Sequence, residues 1–286
     1  MSYPKINHGW MRVIIYLTAL IFTFILFGIP AFILISYIHD EPLSEFLPAG
    51  RNNISFLILY QATTLAGVTL MTFLFRKYID GKKPVTLGFQ LFHVKKHLFL
   101  GLITGFVIIS LGFSILYFSG HLSIQQVNFD PYFLFLNVIL FVMVSWIEEL
   151  SFRGYILNNL MDSLNPYTAL FISALLFALF HIFNTGLSVI GFTNLVLAGI
   201  LLGIVYIHTK TIWFALSLHF SWNFFQGPVF GFPVSGIETT GFIQLQTEGA
   251  EFISGGNFGL EGSLVSSLLL ILGILALNRL YNKETS

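Results

Sequence analysis

The chain has 286 residues, of which 56% are hydrophobic and 9% charged, and its basic and acidic residues balance to a formal net charge of zero. A soluble domain carries about a quarter charged residues, so the composition excludes one and points to an integral membrane protein. Zero net charge offers no electrostatic footing for nucleic acid, and the absence of cysteine excludes a disulfide frame and a thiol nucleophile.

A helix needs about 20 apolar residues to cross a bilayer. Eight stretches qualify in chain order: 11–38, 54–75, 97–118, 131–150, 167–183, 187–207, 211–226 and 264–280. The expected fold is therefore an all-α polytopic membrane protein of about eight transmembrane helices, with residues 1–286 forming one integral membrane domain. The first apolar run is too long for a signal-peptide core, and no small-x-small cleavage site follows it, so it is expected to be retained. No internal repeat is evident. Lys5, Arg12, Arg76, Lys77, Lys82, Lys83, Lys95, Lys96, Lys210, Arg279 and Lys283 fall on one side of an eight-span arrangement, whereas the opposite loops hold Asp40, Glu41, Glu45, Asp130, Glu238, Glu248, Glu251 and Glu261 with Arg51 as their base. The excess of Lys and Arg marks the cytoplasmic side, which predicts both termini inside, in a multi-pass protein of the cell membrane. Residues 227–263 form a Gly-rich outer loop, read either as a lid or re-entrant segment or as an irregular surface loop.

Strong charges within or beside a span are confined to Ser145-Trp146-Ile147-Glu148-Glu149-Leu150-Ser151-Phe152-Arg153-Gly154. A charge at bilayer depth costs a few kcal/mol or more. In a helix Glu149 and Arg153 are four apart and can pair, while Glu148 is turned by about 100° and points elsewhere. The bland reading is a structural ion pair between helices. Asn165-Pro166 breaks the helix. Glu148 lies about 17 residues before that turn and His181 about 16 after it, so antiparallel neighbours bring them to the same depth. His181 shares a face with Phe177, four residues back; an interfacial histidine at a helix end is the alternative. In 211–226, His219 and Asn223 share a face at mid-span, where both need partners; an interhelical hydrogen-bond pair is the alternative. Asn194, Ser217 and Ser221 read as polar glue, and His208 and Lys210 as interfacial anchors. No Gly-x-Ser-x-Gly and no His-Glu-x-x-His motif occurs.

A buried carboxylate is a better base near neutral pH, and beside an imidazole it can hold and deprotonate a water. An imidazole and an Asn amide can donate hydrogen bonds to an oxyanion. This inventory suffices for amide hydrolysis. Glu148, His181 and His219 could equally ligate zinc, with Asn223 an unusual further ligand, so the cofactor is either none or Zn. A proton-coupled transporter using the buried carboxylate as a relay and a catalytically silent immunity or scaffold protein are the competing function classes. A relay transporter would be favoured by inverted repeats with broken helices, which the sequence does not show.

Glu148-Glu149-x-x-x-Arg153, Phe177-x-x-x-His181 and His219-x-x-x-Asn223, in that order, resemble the three motifs of the CPBP family, the intramembrane CAAX-prenyl-protease-type and bacteriocin-processing (Abi-like) endopeptidases. The motifs lie in residues 131–227, which correspond to the family's catalytic core. The resemblance implies an eight-span fold with an intramembrane active site open toward the cytoplasmic side, and a peptide or membrane-protein substrate. It implies that Glu148 with His181 activates water, that His219 with Asn223 stabilises the oxyanion, and that Glu149 and Arg153 support them. The family has been described both as metalloproteases and as glutamate proteases.

Overall fold

The computed structural model describes residues 4–39, 54–238 and 241–285. Asp40, Glu41, Glu45 and Arg51 lie outside the described residues. The protein is a bundle of long helices: α1 (Gly9–His39), α2 (Ile54–Leu74), α3 (Val94–Phe118), α4 (Pro131–Glu149), α5 (Pro166–Leu179), α6 (Val189–Thr209), α7 (Trp213–Phe224) and α8 (Leu264–Thr285). Local chemistry starts several of them. Pro131 and Pro166 open α4 and α5 at positions that need no backbone donor, and the side chains of Asp130 and Asn165 accept from Phe133 N and Thr168 N, both at 3.0 Å. Ser188 caps α6 through Gly191 N at 3.0 Å.

Six helices among the described residues are long and apolar enough to cross a membrane, which makes this an all-α polytopic membrane protein. Of the other two expected spans, α5 is shorter than predicted: it has 14 residues, about 21 Å of rise against a hydrocarbon core of about 30 Å. α7 has 12 residues and continues directly as a π-helix over Phe225–Val229, so its helical run covers the expected stretch apart from the first two residues. Hydropathy alone overextends α5, because the turn that ends it at residues 180–187 is itself rich in apolar residues (Phe180, Ile182, Phe183). α4 continues as expected beyond Leu150, but as a π-helix over Leu150–Leu157 and then a last α turn, Asn158–Leu160.

α7 is held closely against α3. A Cβ at Gly101 would come within 2.0 Å of Ser217 Oγ and 2.5 Å of the Phe214 carbonyl, and one at Gly105 within 2.7 Å of Ser221 Cβ. Small residues four apart let two backbones approach where no hydrophobic gain separates helix from lipid. Ser221 Oγ donates across the same seam to Leu102 O at 2.7 Å, so the predicted polar glue is made to backbone.

One end of the bundle is tied by charge. Arg12 pairs with Asp162 at 2.7 Å, and Arg76 with Asp80 at 3.0 Å. Tyr155 donates to Asp80 Oδ1 at 2.9 Å, and Asn159 to Asp80 Oδ2 at 3.2 Å. Lys82 reaches Asp162 at 2.7 Å, Lys210 approaches Met161 Sδ at 3.0 Å, and Lys5 N donates to Ile79 O. Half-burial would raise the Asp162 carboxyl, but hydrogen bonds and charge from Lys82 and Arg12 outweigh it and hold the group below its usual 3.8.

The opposite end is covered in part by residues 227–238 and 241–263, which are not a simple surface loop. β2 (Ile243–Thr247) pairs antiparallel with β1 (Leu122–Val127), with a bulge between Ile124 and Gln126, and Phe232, Phe258 and Leu260 are fully buried. The segment grips the turn after α5. Gly236, at φ +82, sits so close that a Cβ would meet Thr185 O at 2.0 Å, and Asn184 Nδ2 donates to Ser235 O at 2.9 Å. The short α5 leaves a recess at this end, and the segment lines it and covers it in part, with Ser235, Ile237 and Glu261 on the cavity wall.

Two outcomes follow from this packing. Gly101→Val is expected to destabilise the detergent-solubilised protein by about 1–3 kcal/mol through overpacking, read as a lower thermal midpoint. A carboxylate with a depressed folded pKa stabilises above its unfolded pKa and loses that contribution as pH falls through the folded value. The midpoint of Asp162→Asn should therefore lie below that of the parent at neutral pH, and the gap should close as pH falls below 3.8.

Candidate active site

The three sequence motifs meet around one cavity of about 300 Å³. α4 supplies Glu148, the end of α5 supplies Phe177 and the following His181, and α7 supplies His219 and Asn223. Consecutive helical residues diverge by about 100°, which sends Glu148 into the cavity and Glu149 into the packed interior. Glu149 has no exposure, whereas the Glu148 side chain is 24% exposed.

Glu149 is the organising acceptor. Its Oε1 receives Arg153 Nη1 and His219 Nδ1, both at 2.7 Å. Arg153, also buried, sends Nη2 to Gly199 O at 3.0 Å and lies 4.8 Å above the Phe177 ring. Phe177 thus carries a cation on one contact and the imidazoles of His181 and His219 at 4.8 and 6.2 Å between centroids on others. Its carbonyl faces His181 Nδ1 at 2.9 Å.

These contacts dictate the tautomers. A carbonyl only accepts, so Nδ1 of His181 carries the hydrogen and Nε2 of the neutral ring presents a lone pair. Nδ1 of His219 donates in the same way to Glu149, and its Nε2 donates only as the imidazolium. Both Nε2 atoms face Glu148 Oε2, at 3.9 Å from His181 and 3.8 Å from His219. Oε2 itself is buried and makes no hydrogen bond. Asn223 is 5% exposed, lies one turn beyond His219 and lines the same cavity.

The three donors face one another, yet among the described residues no set of three or more His, Cys, Asp or Glu is arranged to hold a metal ion. Ligands on one tetrahedral zinc lie about 2.0–2.2 Å from it, which places them closer together than these distances. Such ligands stand about 3.4 Å apart, a little closer than the 3.8 and 3.9 Å here; Glu148, His181 and His219 are the residues that would hold a zinc ion, and no step below passes through one.

Four polar residues on the cavity wall escaped the sequence reading: Gln61 of α2 and three at the loop end, Asn184, Ser235 and Glu261. Glu261, expected as a surface acid in the outer loop, is 6% exposed. It accepts from Trp222 Nε1 at 3.1 Å, Ser235 N at 2.7 Å and Ser235 Oγ at 2.8 Å. Ser235 and Asn184 line the cavity beside it. Asn194 donates to Glu261 O and Ser263 O at 2.7 and 2.8 Å, so its expected role as glue is realised on this loop. The signal available for Glu261 was its setting, Phe258-Gly259-Leu260-Glu261-Gly262, an acid between apolar residues and turn-forming glycines.

Removing one partner of a buried ion pair costs about 3–5 kcal/mol, because a charge is left unpaired. Arg153→Met is expected to lower the thermal midpoint strongly, and the double variant Arg153→Met/Glu149→Leu to recover part of that loss. Strictly additive losses would show that the two side chains are not coupled.

Residues 130–225 match the family model for Type II CAAX prenyl endopeptidase Rce1-like proteins. No curated protein and no solved structure matches the chain. The matched segment contains Glu148, Glu149, Arg153, Phe177, His181, His219 and Asn223, so over this third of its length the chain is similar to the CPBP/CAAX proteases, and the likeness runs through the three motifs around the cavity.

Proposed function

We propose that the protein is an intramembrane endopeptidase in which Glu148 and His181 activate a water, and His219 and Asn223 stabilise the oxyanion formed from the scissile peptide. The observation that carries this reading is the placement of Glu148 Oε2, buried without a hydrogen bond, opposite two imidazole nitrogens at 3.8 and 3.9 Å. Polar atoms at such separations are bridged well by a water at about 2.8 Å from each.

The proton inventory supports the assignment. The water transfers one proton to Glu148 and keeps the other, whose O–H bond donates a hydrogen bond to the lone pair on His181 Nε2 and holds the attacking oxygen in place. As that oxygen bonds to the carbonyl carbon, the π pair moves onto the carbonyl oxygen. Asn223 Nδ2, and Nε2 of His219 in its imidazolium form, donate to the oxyanion. Collapse breaks the C–N bond, and the proton on Glu148 passes to the leaving amine. Glu149 and Arg153 act through His219 by fixing its ring orientation. The apolar walls, Leu140, Phe141, Val144, Leu195 and Leu202 among them, suit the side chains of a peptide segment drawn from a membrane protein.

A proton-relay transporter needs a polar route across the bundle. All eight residues of Leu150–Leu157 are buried, and the cavity lining stops at Phe152, which weighs against that reading.

Glu148→Gln keeps the shape and removes the base, so cleavage by the purified, folded protein is expected to fall about 10²–10⁴-fold. Asn223→Ala is expected to cost about 10²–10³-fold in kcat. Undiminished cleavage by Glu148→Gln would falsify the assignment, and cellular activity that survives it without any proteolysis would favour the silent-partner reading.

A further inference from the structure

Resting on the proteolytic reading, we propose that the catalytic cavity opens on the non-cytoplasmic side of the membrane and takes an apolar peptide segment presented from that side. The resemblance to the CPBP family implied a cytoplasmic opening, and the geometry opposes it.

The two ends of the bundle are unambiguous. Residues 5–12, 76–88, 158–163 and 208–212 and the end of α8 meet at one end. Lys5 N bonds to Ile79 O, Gly9 N to Ser163 Oγ, Ile212 N to Gly88 O, and His208 faces Asn278. Every lysine and arginine of the chain except Arg51 and Arg153 belongs to this end. Short flanking segments rich in Lys and Arg stay in the cytoplasm. The turn after α5, the β1–β2 sheet and residues 227–263 form the other end, where Glu248 N bonds to His121 O and Asn128 N to Phe242 O.

The cavity belongs to the second end. From Glu148 its wall runs along α4 through Val144, Phe141 and Leu140, a rise of about 12 Å, to Leu57 and Gln61 of α2 and to Asn184, Ser235, Ile237 and Glu261. Ile237, 48% exposed, and Phe180, 37% exposed, are its most open lining residues. Toward the basic end it closes at Ser151 and Phe152. Beyond them Tyr155, Ile156, Leu157, Asn159 and Tyr206 are at most 1% exposed, and the Arg12, Arg76 and Asp80 network seals what remains. A substrate from the basic end meets packed protein; one from the opposite end meets the recess beyond the short α5, where Phe180, Asn184 and Ile237 line the cavity.

The chain has no cysteine, so single cysteines report sidedness directly. Ile237→Cys at the mouth and exposed Glu248→Cys on the same end are expected to react with a membrane-impermeant maleimide in intact cells. Leu91→Cys, 82% exposed at the basic end, is expected to react only after permeabilisation. The reverse pattern overturns the proposal without touching the proteolytic reading, and Glu248→Cys covers the case in which Ile237→Cys fails to fold. In sealed vesicles sorted by this labelling, an impermeant quenched apolar peptide should be cut only from the face opposite the termini. Cleavage confined to the terminal face overturns the proposal. Correct labelling with cleavage from neither face leaves the opening assigned and removes the proteolytic reading on which its substrate rests.

Discussion

The buried carboxylate of Glu149 is the constraint on which the rest of the site depends. It has no access to water, and one of its oxygens receives both Arg153 and His219. A charge placed there is tolerable only when paired and hydrogen-bonded, and the two donors come from different turns and different helices. The same pairing therefore ties α4 to α7, and through Arg153 to the Gly199 carbonyl it ties both to α6. It also fixes which nitrogen of His219 is free. Helical geometry then does the remaining work, because the residue before Glu149 must point about 100° away, into the cavity. Two adjacent glutamates acquire opposite environments from rotation alone.

The second determinant is helix length. α5 stops short of a full crossing, and α7 gives way to a π-helix at Phe225; both carry site residues at or near their far halves. A full-length α5 would run past His181 and fill the space in front of Glu148. Truncation opens a polar recess at membrane depth, where non-helical backbone is tolerated only if protein or a wet cavity surrounds it. Residues 227–263 meet that requirement. Glu261 and Asn194 satisfy their backbone and hydroxyl groups, and Phe232, Phe258 and Leu260 pack inward. Trp222 connects this cover to the site, since its neighbour in the chain is Asn223 and its indole donates to Glu261.

The polar network at the basic end has the complementary role. Arg12, Arg76 and Asp80 are almost fully buried, so they act as a plug and not as a surface patch. Their hydrogen bonds to Tyr155, Asn158 and Asn159 lock the π-helical continuation of α4. A π segment widens the helix and shifts its register, and here it sits directly below the motif residues. The bundle is thus tight and charged at one end, and at the other holds a cavity with apolar walls and a few polar groups under a partial cover.

The sequence by itself determined that this is a helical membrane protein, roughly where its helices lie, and which polar residues share a helical face within the apolar spans. Each of these rests on local information: apolar run length, proline and asparagine at helix starts, and polar residues four apart that must share a face. The pairing of Glu149 with Arg153 and the common depth of Glu148 and His181 were legible for the same reason, since both follow from helical rise and rotation. Only the tertiary structure decided that α5 falls short of spanning, because Ile182 and Phe183 are as apolar in a turn as in a helix. It alone decided that His219 turns to Glu149, that Glu261 is buried in the cavity wall, and at which end the cavity lies. Those depend on contacts between residues tens of positions apart, which no window along the chain contains.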